Sequence, residues 1–270
     1  MTSERPVTHV RAEPVPPRDA DTLAHLVVHR GLIVRRALLA GAIRGLFPVP
    51  IVDDQLASRV RAGLFGKLAA GRQVDLPPAS AAVLAADRGT AASLTLTAAA
   101  ALILKFAGRK FLALLAAGRG ADAMARTFYQ ATLFDHHCAK LHVGGPITTE
   151  DAGRLRAVIE AELREMPMGP GLNAFREGSR ILGRSLLEAP RWLSQRIARL
   201  AERFAGSGGN PEVLHAVPVS AIGEDAWLER AAQAVEEALT QAGSSHLARL
   251  VEGFEARWRN GTGTENAHAD

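Results

Sequence analysis

Two short histidine-bearing stretches carry the residue types best suited to chemistry. Asp21, His25 and His29 are spaced by four, so on a helix they share one face. Asp135, Cys138 and His142 share another, with His136 and His137 beside them. If the two helices packed together, His25, His29, His136 and His142 would be the candidate nitrogen donors for a zinc or iron ion. A centre of that kind would belong to a metal-dependent helical enzyme. The spacing differs from di-iron bundles, which combine Glu with Glu-x-x-His on paired helices. The alternative is that these histidines are interfacial or solvent-facing groups. On that reading the chain has no catalytic residue and no cofactor.

Other chemistry is sparse. Asp135-His136-His137-Cys138 spells the signature of protein palmitoyltransferases, but those enzymes set it in a cysteine-rich zinc domain, and Cys138 is the only cysteine. A single cysteine also excludes an intrachain disulfide. Gly63-Leu64-Phe65-Gly66-Lys67-Leu68 contains a Gly-Lys pair without the spacing or the Ser/Thr of a phosphate-binding loop. A second kind of site is electrostatic. Arg176, Arg180 and Arg184 form a stripe at intervals of four, with Arg191 near the same face and Trp192 beside it. Ile181, Leu186, Leu187, Leu193 and Ile197 supply the apolar side. A basic amphipathic helix with a Trp suits anionic lipid headgroups or a protein partner. Nucleic acid is not expected, since aromatic platforms and a dense basic stripe are missing.

The elements that must position these groups read as helices. Aromatics are 5% of the 270 residues, while Ala and Leu dominate the apolar set and β-branched runs are scarce. The expected fold is an all-α helical bundle with an apolar helical hairpin and a second, smaller lobe. Residues 1–18 are proline-rich and read as a disordered tail without a signal peptide. The apolar domain is placed at 19–143, the second lobe at 146–259 with a linker at 206–211, and a disordered tail at 260–270. The first half is basic: residues 1–145 carry 18 Lys and Arg against 10 Asp and Glu. Residues 146–270 carry 14 against 18. Such asymmetry suits an anionic partner for the first half, although 28 of the 32 basic residues are scattered Arg.

Along the chain, Asp19 or Asp21 caps a helix to about Arg44, ended by Gly45, Pro48 and Pro50. Asp53 or Asp54 caps the next, which stops at Gly71. Pro77-Pro78 opens a short helix. Gly118 and Gly120 are expected to break the apolar run before a helix over 121–142. Gly144-Gly145-Pro146 is a boundary. Thr148 or Thr149, followed by Glu150 and Asp151, starts another helix. A long basic helix spans 172–205 with a kink at Pro190.

Two segments, Leu32 to Val52 and Ala91 to Ala117, are unusually apolar but carry charges, and neither gives the roughly 20 clean apolar residues of a membrane span. Ala37, Gly41 and Gly45 lie at intervals of four, a spacing that lets another helix approach closely. The sequence Val34 to Ala42, then Gly45-Leu46-Phe47-Pro48-Val49-Pro50-Ile51-Val52-Asp53, resembles a bacterial helical domain of unknown function. That domain occurs in YcjF-type inner-membrane proteins and behind some GTPase domains. The similarity covers about residues 31–142, with Leu46-Phe47 where the family has Leu-Ile, and no GTPase domain is present. It implies a helical fold, a membrane-proximal setting and a GTPase as one possible helical partner. It brings no catalytic residues. Together these features point to a non-enzymatic, membrane-associated scaffold or interaction protein. It would be cytoplasmic or peripheral on the inner membrane, and a soluble helical adaptor is the alternative.

Overall fold

A computed structural model describes residues 23–46, 50–86, 109–187 and 226–266. The chain is all-α, and no strand occurs among these residues. The helices are α1 (Ala24–Leu46), α2 (Pro50–Gly71), α3 (Pro78–Ala85), α4 (Arg109–His136), α5 (Thr149–Glu165), α6 (Gly169–Leu187), α7 (Ala226–Gln241) and α8 (Ser245–Asn266). Alanine and leucine at most interior positions favour this outcome, because neither loses much side-chain freedom in a helix.

The most extensive pairing joins α1 and α4. Leu26, Ile33, Val34, Ala37, Leu38 and Ala42 of α1 are all buried, as are Met124, Ala125, Phe128, Leu133 and Phe134 of α4. Each fully buried Leu, Ile or Phe of this kind contributes about 1.5–3 kcal/mol of apolar transfer free energy. Phe134 meets Phe65 of α2 edge-on at 5.0 Å, and Phe128 meets Phe175 of α6 at 5.5 Å. α6 also packs on α4 and α7, and α3 sits against α2 and α5.

Gly144 and Gly145 form the expected turn after α4, with φ of 58° and 76° that favour glycine. Apolar side chains from both sides of that turn, from Leu23 to Phe254, join one core cluster. Thr148 is the N-cap of α5. Its hydroxyl accepts from the Asp151 amide, and the Asp151 side chain accepts from the Thr148 amide, a reciprocal cap.

Four boundaries differ from the sequence expectation. Gly118 and Gly120 do not break the chain, because α4 runs through both. Gly120 lies where α4 crosses α1, so packing outweighs the low helix propensity of glycine. α2 begins at Pro50 and not after Asp53, in keeping with the preference of proline for a first helical turn. The helix expected over 121–142 closes with a π-helical turn, His137–Leu141. α8 runs to Asn266, beyond the tail boundary set at residue 260, since adding a residue to a docked helix fixes little and gains a hydrogen bond. The second apolar segment up to Gly108, Pro48, Pro190, Arg191, Trp192 and the linker at 206–211 lie outside the described residues.

Candidate functional site

α1 and α4 run antiparallel, which brings the start of α1 to the end of α4. There His25, His29, Asp135 and His136 meet. His25 Nε2 lies 3.0 Å from His136 Nδ1, and His29 Nδ1 lies 2.8 Å from Asp135 Oδ1. Arg72, one residue beyond α2, donates to both carboxylate oxygens of Asp135, from Nε at 2.9 Å and Nη2 at 2.7 Å. Arg72 Nη2 also donates to the His25 carbonyl at 2.5 Å. From α8, Glu255 Oε1 lies 2.9 Å from His136 Nε2. Arg259 pairs with the other oxygen of Glu255 one turn further on.

The partners assign the protons. An ionised carboxylate only accepts, so His29 donates from Nδ1 to Asp135, and His136 donates from Nε2 to Glu255. A neutral His136 then holds a lone pair on Nδ1, and His25 donates to it from Nε2. Four segments are thus tied by one chain of hydrogen bonds: His25 and His29 on α1, Arg72 after α2, Asp135 and His136 on α4, Glu255 on α8.

Burial sets the electrostatics. Asp135 is 0% exposed and His136 1%. Loss of hydration pushes the His25 pKa below its usual value, helped by the nearby charges of His136, Lys140 and Arg72 and opposed by Asp135. Burial likewise lowers His136, opposed mainly by Glu255. Arg72 is held more firmly protonated by its hydrogen bond to Asp135.

A second cluster begins one residue along. His137 is buried and pushed down to about 4 by loss of hydration, with His142 and His136 adding to the effect and Asp151 opposing it. Its Nδ1 is buried without a hydrogen-bond partner. Its ring meets Trp258 edge-on at 4.6 Å, and Arg154 sits over the same indole, 5.0 Å from the ring centroid. Phe254 lies between His136 and His137, with ring centroids 6.4 and 6.5 Å away. The four residues Asp135 to Cys138 therefore divide among three surroundings: the carboxylate network, the Trp258 cluster and the core.

Three of the four candidate donors, His25, His29 and His136, meet in the first network. His142 does not; its Nε2 donates to the Gly145 carbonyl at 3.1 Å. Among the described residues, no group of three or more His, Cys, Asp or Glu is arranged to hold a metal ion. His25 Nε2 and both nitrogens of His136 are engaged in hydrogen bonds within the protein. The Cys138 thiol is buried and pushed up to about 12 by burial and by Asp135, which leaves it no thiolate near neutral pH.

Arg72, Glu255, Arg154 and Trp258 belong to the site without any motif to flag them. Glu255 and Arg259 form an i, i+4 pair that reads as an ordinary solvated helix face. Nothing in the sequence says that this pair caps a buried histidine.

The electrostatic site lies elsewhere. Arg176, Arg180 and Arg184 are all exposed on α6, whereas Phe175, Ser179 and Leu182 on the other side are buried. Arg180 pairs with Glu177 at 3.0 Å, with both side chains more than half exposed. Gly41 and Gly120 face each other where α1 crosses α4. A Cβ on Gly41 would lie 3.0 Å from the Gly120 carbonyl and closer still to Met124. Gly45 lies in the last turn of α1, and Pro50 opens α2.

No described helix is long and apolar enough to cross a membrane. The Leu32–Ala42 part of the first apolar segment is largely enclosed by neighbouring helices. No family model, curated protein or solved structure matches the chain.

Proposed function

We propose that the protein is a non-enzymatic helical interaction protein that attaches to an anionic membrane surface through α6. The observation that carries this reading is the outward stripe Arg176, Arg180 and Arg184, with the apolar face of the same helix committed to the core. The stripe spans two turns, about 12 Å, so its three guanidinium groups can meet several headgroups at once. A basic side chain near an anionic leaflet contributes about 1 kcal/mol, so the stripe supplies about 3 kcal/mol of reversible, salt-sensitive attachment. The buried histidines and Cys138 support the non-enzymatic part, because their reactive atoms are paired with one another or shielded. Burial of Leu32–Ala42 favours attachment at the surface over insertion of α1 into lipid.

Vesicle flotation of the full chain tests the reading. Vesicles of phosphatidylserine and phosphatidylcholine should carry the protein at low salt, and phosphatidylcholine alone should not. The variant Arg176→Gln/Arg180→Gln/Arg184→Gln should bind about 100-fold more weakly. Equal recovery of that variant and the parent, or no recovery of either, would remove α6 from the function.

A further inference from the structure

We propose that the end of the bundle where α1, α4 and α8 meet is an acid-sensitive latch, in which proton uptake by His25, His136 and His137 releases α8. The geometry limits how many protons these histidines can take up while α8 is docked. His25 and His136 share a single hydrogen at 3.0 Å. With Glu255 holding the proton on His136 Nε2, the pair accommodates one further proton. A second would set N–H against N–H across the contact. His137 has a buried Nδ1 with no acceptor to receive a new N–H, and Phe254 and Trp258 of α8 pack beside its ring, so releasing α8 opens that side of it to water.

The surrounding charges do not cancel this. His25 faces His136 and Lys140 from α4 and its π-helical turn, Arg72 beyond α2, and Asp135. Asp135 is already engaged by Arg72 and His29. His136 faces Glu255 and Asp135, which favour its cation, and Lys140, which opposes it, and burial outweighs the two carboxylates. His137 faces His142 and His136, which oppose a positive charge, and Asp151 of α5, which favours it. Asp151 is occupied by the Thr148 cap. Arg154, stacked on Trp258, adds another cation beside the indole that His137 touches.

α8 is also the element placed to let go. Its apolar contribution to the core is Leu250, Val251 and Phe254, together with the partly buried Leu247, Ala248 and Trp258. Its polar ties include Glu255 to His136 and Arg257 to Glu162 and Glu165 of α5. A histidine lowered when docked binds fewer protons in that state than when released. Its contribution to docking is complete above the usual value of 6.5 and is lost as pH falls through the docked value, which for His137 is about 4. The part of that shift that comes from burial under α8 moves the docking equilibrium toward release as pH falls.

The test uses the full chain carrying Trp192→Phe and Trp227→Phe, which leaves Trp258 as the sole indole. Trp258 emission and far-ultraviolet circular dichroism are followed from pH 7.5 to pH 4. The expected result is a reversible red shift between 6.5 and 4, steeper than a one-proton titration, while most helical signal persists. His137→Phe keeps the packing against Trp258 without the titrating group and should lower the midpoint by about one pH unit. His136→Gln retains a donor for Glu255 and an acceptor for His25 and should lower it independently. Hydrogen exchange of the unmodified protein at pH 7 and pH 5, corrected for intrinsic rates, should show protection lost in α8 before α1 and α4. The proposal fails if Trp258 emission holds to pH 4, if it moves only together with the helical signal, if neither histidine variant shifts the midpoint, or if α8 stays as protected as α1.

Discussion

The two ends of the α1–α4 pair solve the same packing problem with opposite chemistry. At one end Gly41 lies against Gly120, and the helices approach through backbone and Met124. Sixteen residues back along α1 and sixteen further along α4, about 24 Å away, His25 meets His136 through a hydrogen bond. The glycine end gains from close van der Waals contact and is indifferent to pH. The histidine end satisfies buried polar atoms in one arrangement only, so it fixes how α1, α4 and α8 meet and responds to protons. Fixed partners at one end and tolerant packing at the other divide specificity from bulk stability along a single helix pair.

The sharpest way to break this contrast is at Asp135. Asp135→Ala leaves Arg72 largely buried without its carboxylate and His29 without its acceptor, and should cost about 3–5 kcal/mol in denaturant unfolding. Asp135→Asn should cost less, since it keeps an acceptor. Equal losses for the two would mean that charge is irrelevant there. At the other end, Gly41→Ala gains up to about 1 kcal/mol of helix propensity but drives a methyl into Met124 and the Gly120 carbonyl. The net effect should be a loss of about 1–3 kcal/mol that does not change with pH. Met124→Ala in the same chain should recover part of it, and a double-mutant cycle measures the coupling. Away from both ends, Thr148→Ala removes the reciprocal cap of α5 and should cost about 1 kcal/mol, serving as a reference for an ordinary local loss. A cost for Thr148→Ala as large as that for Asp135→Ala would erase the distinction between the network and a helix cap.

Much of the architecture was legible before the structure. Alanine and leucine content announced helices, Gly144-Gly145-Pro146 announced a turn, and Thr148 with Asp151 announced a cap. These signals are local, so a linear reading reaches them. The continuity of α4 through Gly118 and Gly120 was not legible, because glycine reads as a breaker until the opposing Gly41 is known. The fourfold spacing of His25 and His29 and the run Asp135-His136 placed polar groups on two helix faces, but whether those faces meet was left as a condition. Their partners Arg72 and Glu255 come from distant segments and look like ordinary surface charges. Only tertiary proximity turns them into the groups that assign the histidine protons.

The π-helical turn at His137–Leu141 closes with the His142 amide donating to the His137 carbonyl at 2.9 Å. It holds one residue more than an α-turn would. Deleting a single residue from 138–141 would turn it into an ordinary α-turn, which closes nearly the same circle with one residue fewer, so the exit path of the chain would keep nearly the same bearing. Ile147, whose amide donates to the Asp75 carbonyl at 2.9 Å, would keep that partner, and α5 would start on its present bearing. The turn therefore holds one spare residue, and the angle at which the second half of the protein leaves the first should survive its loss.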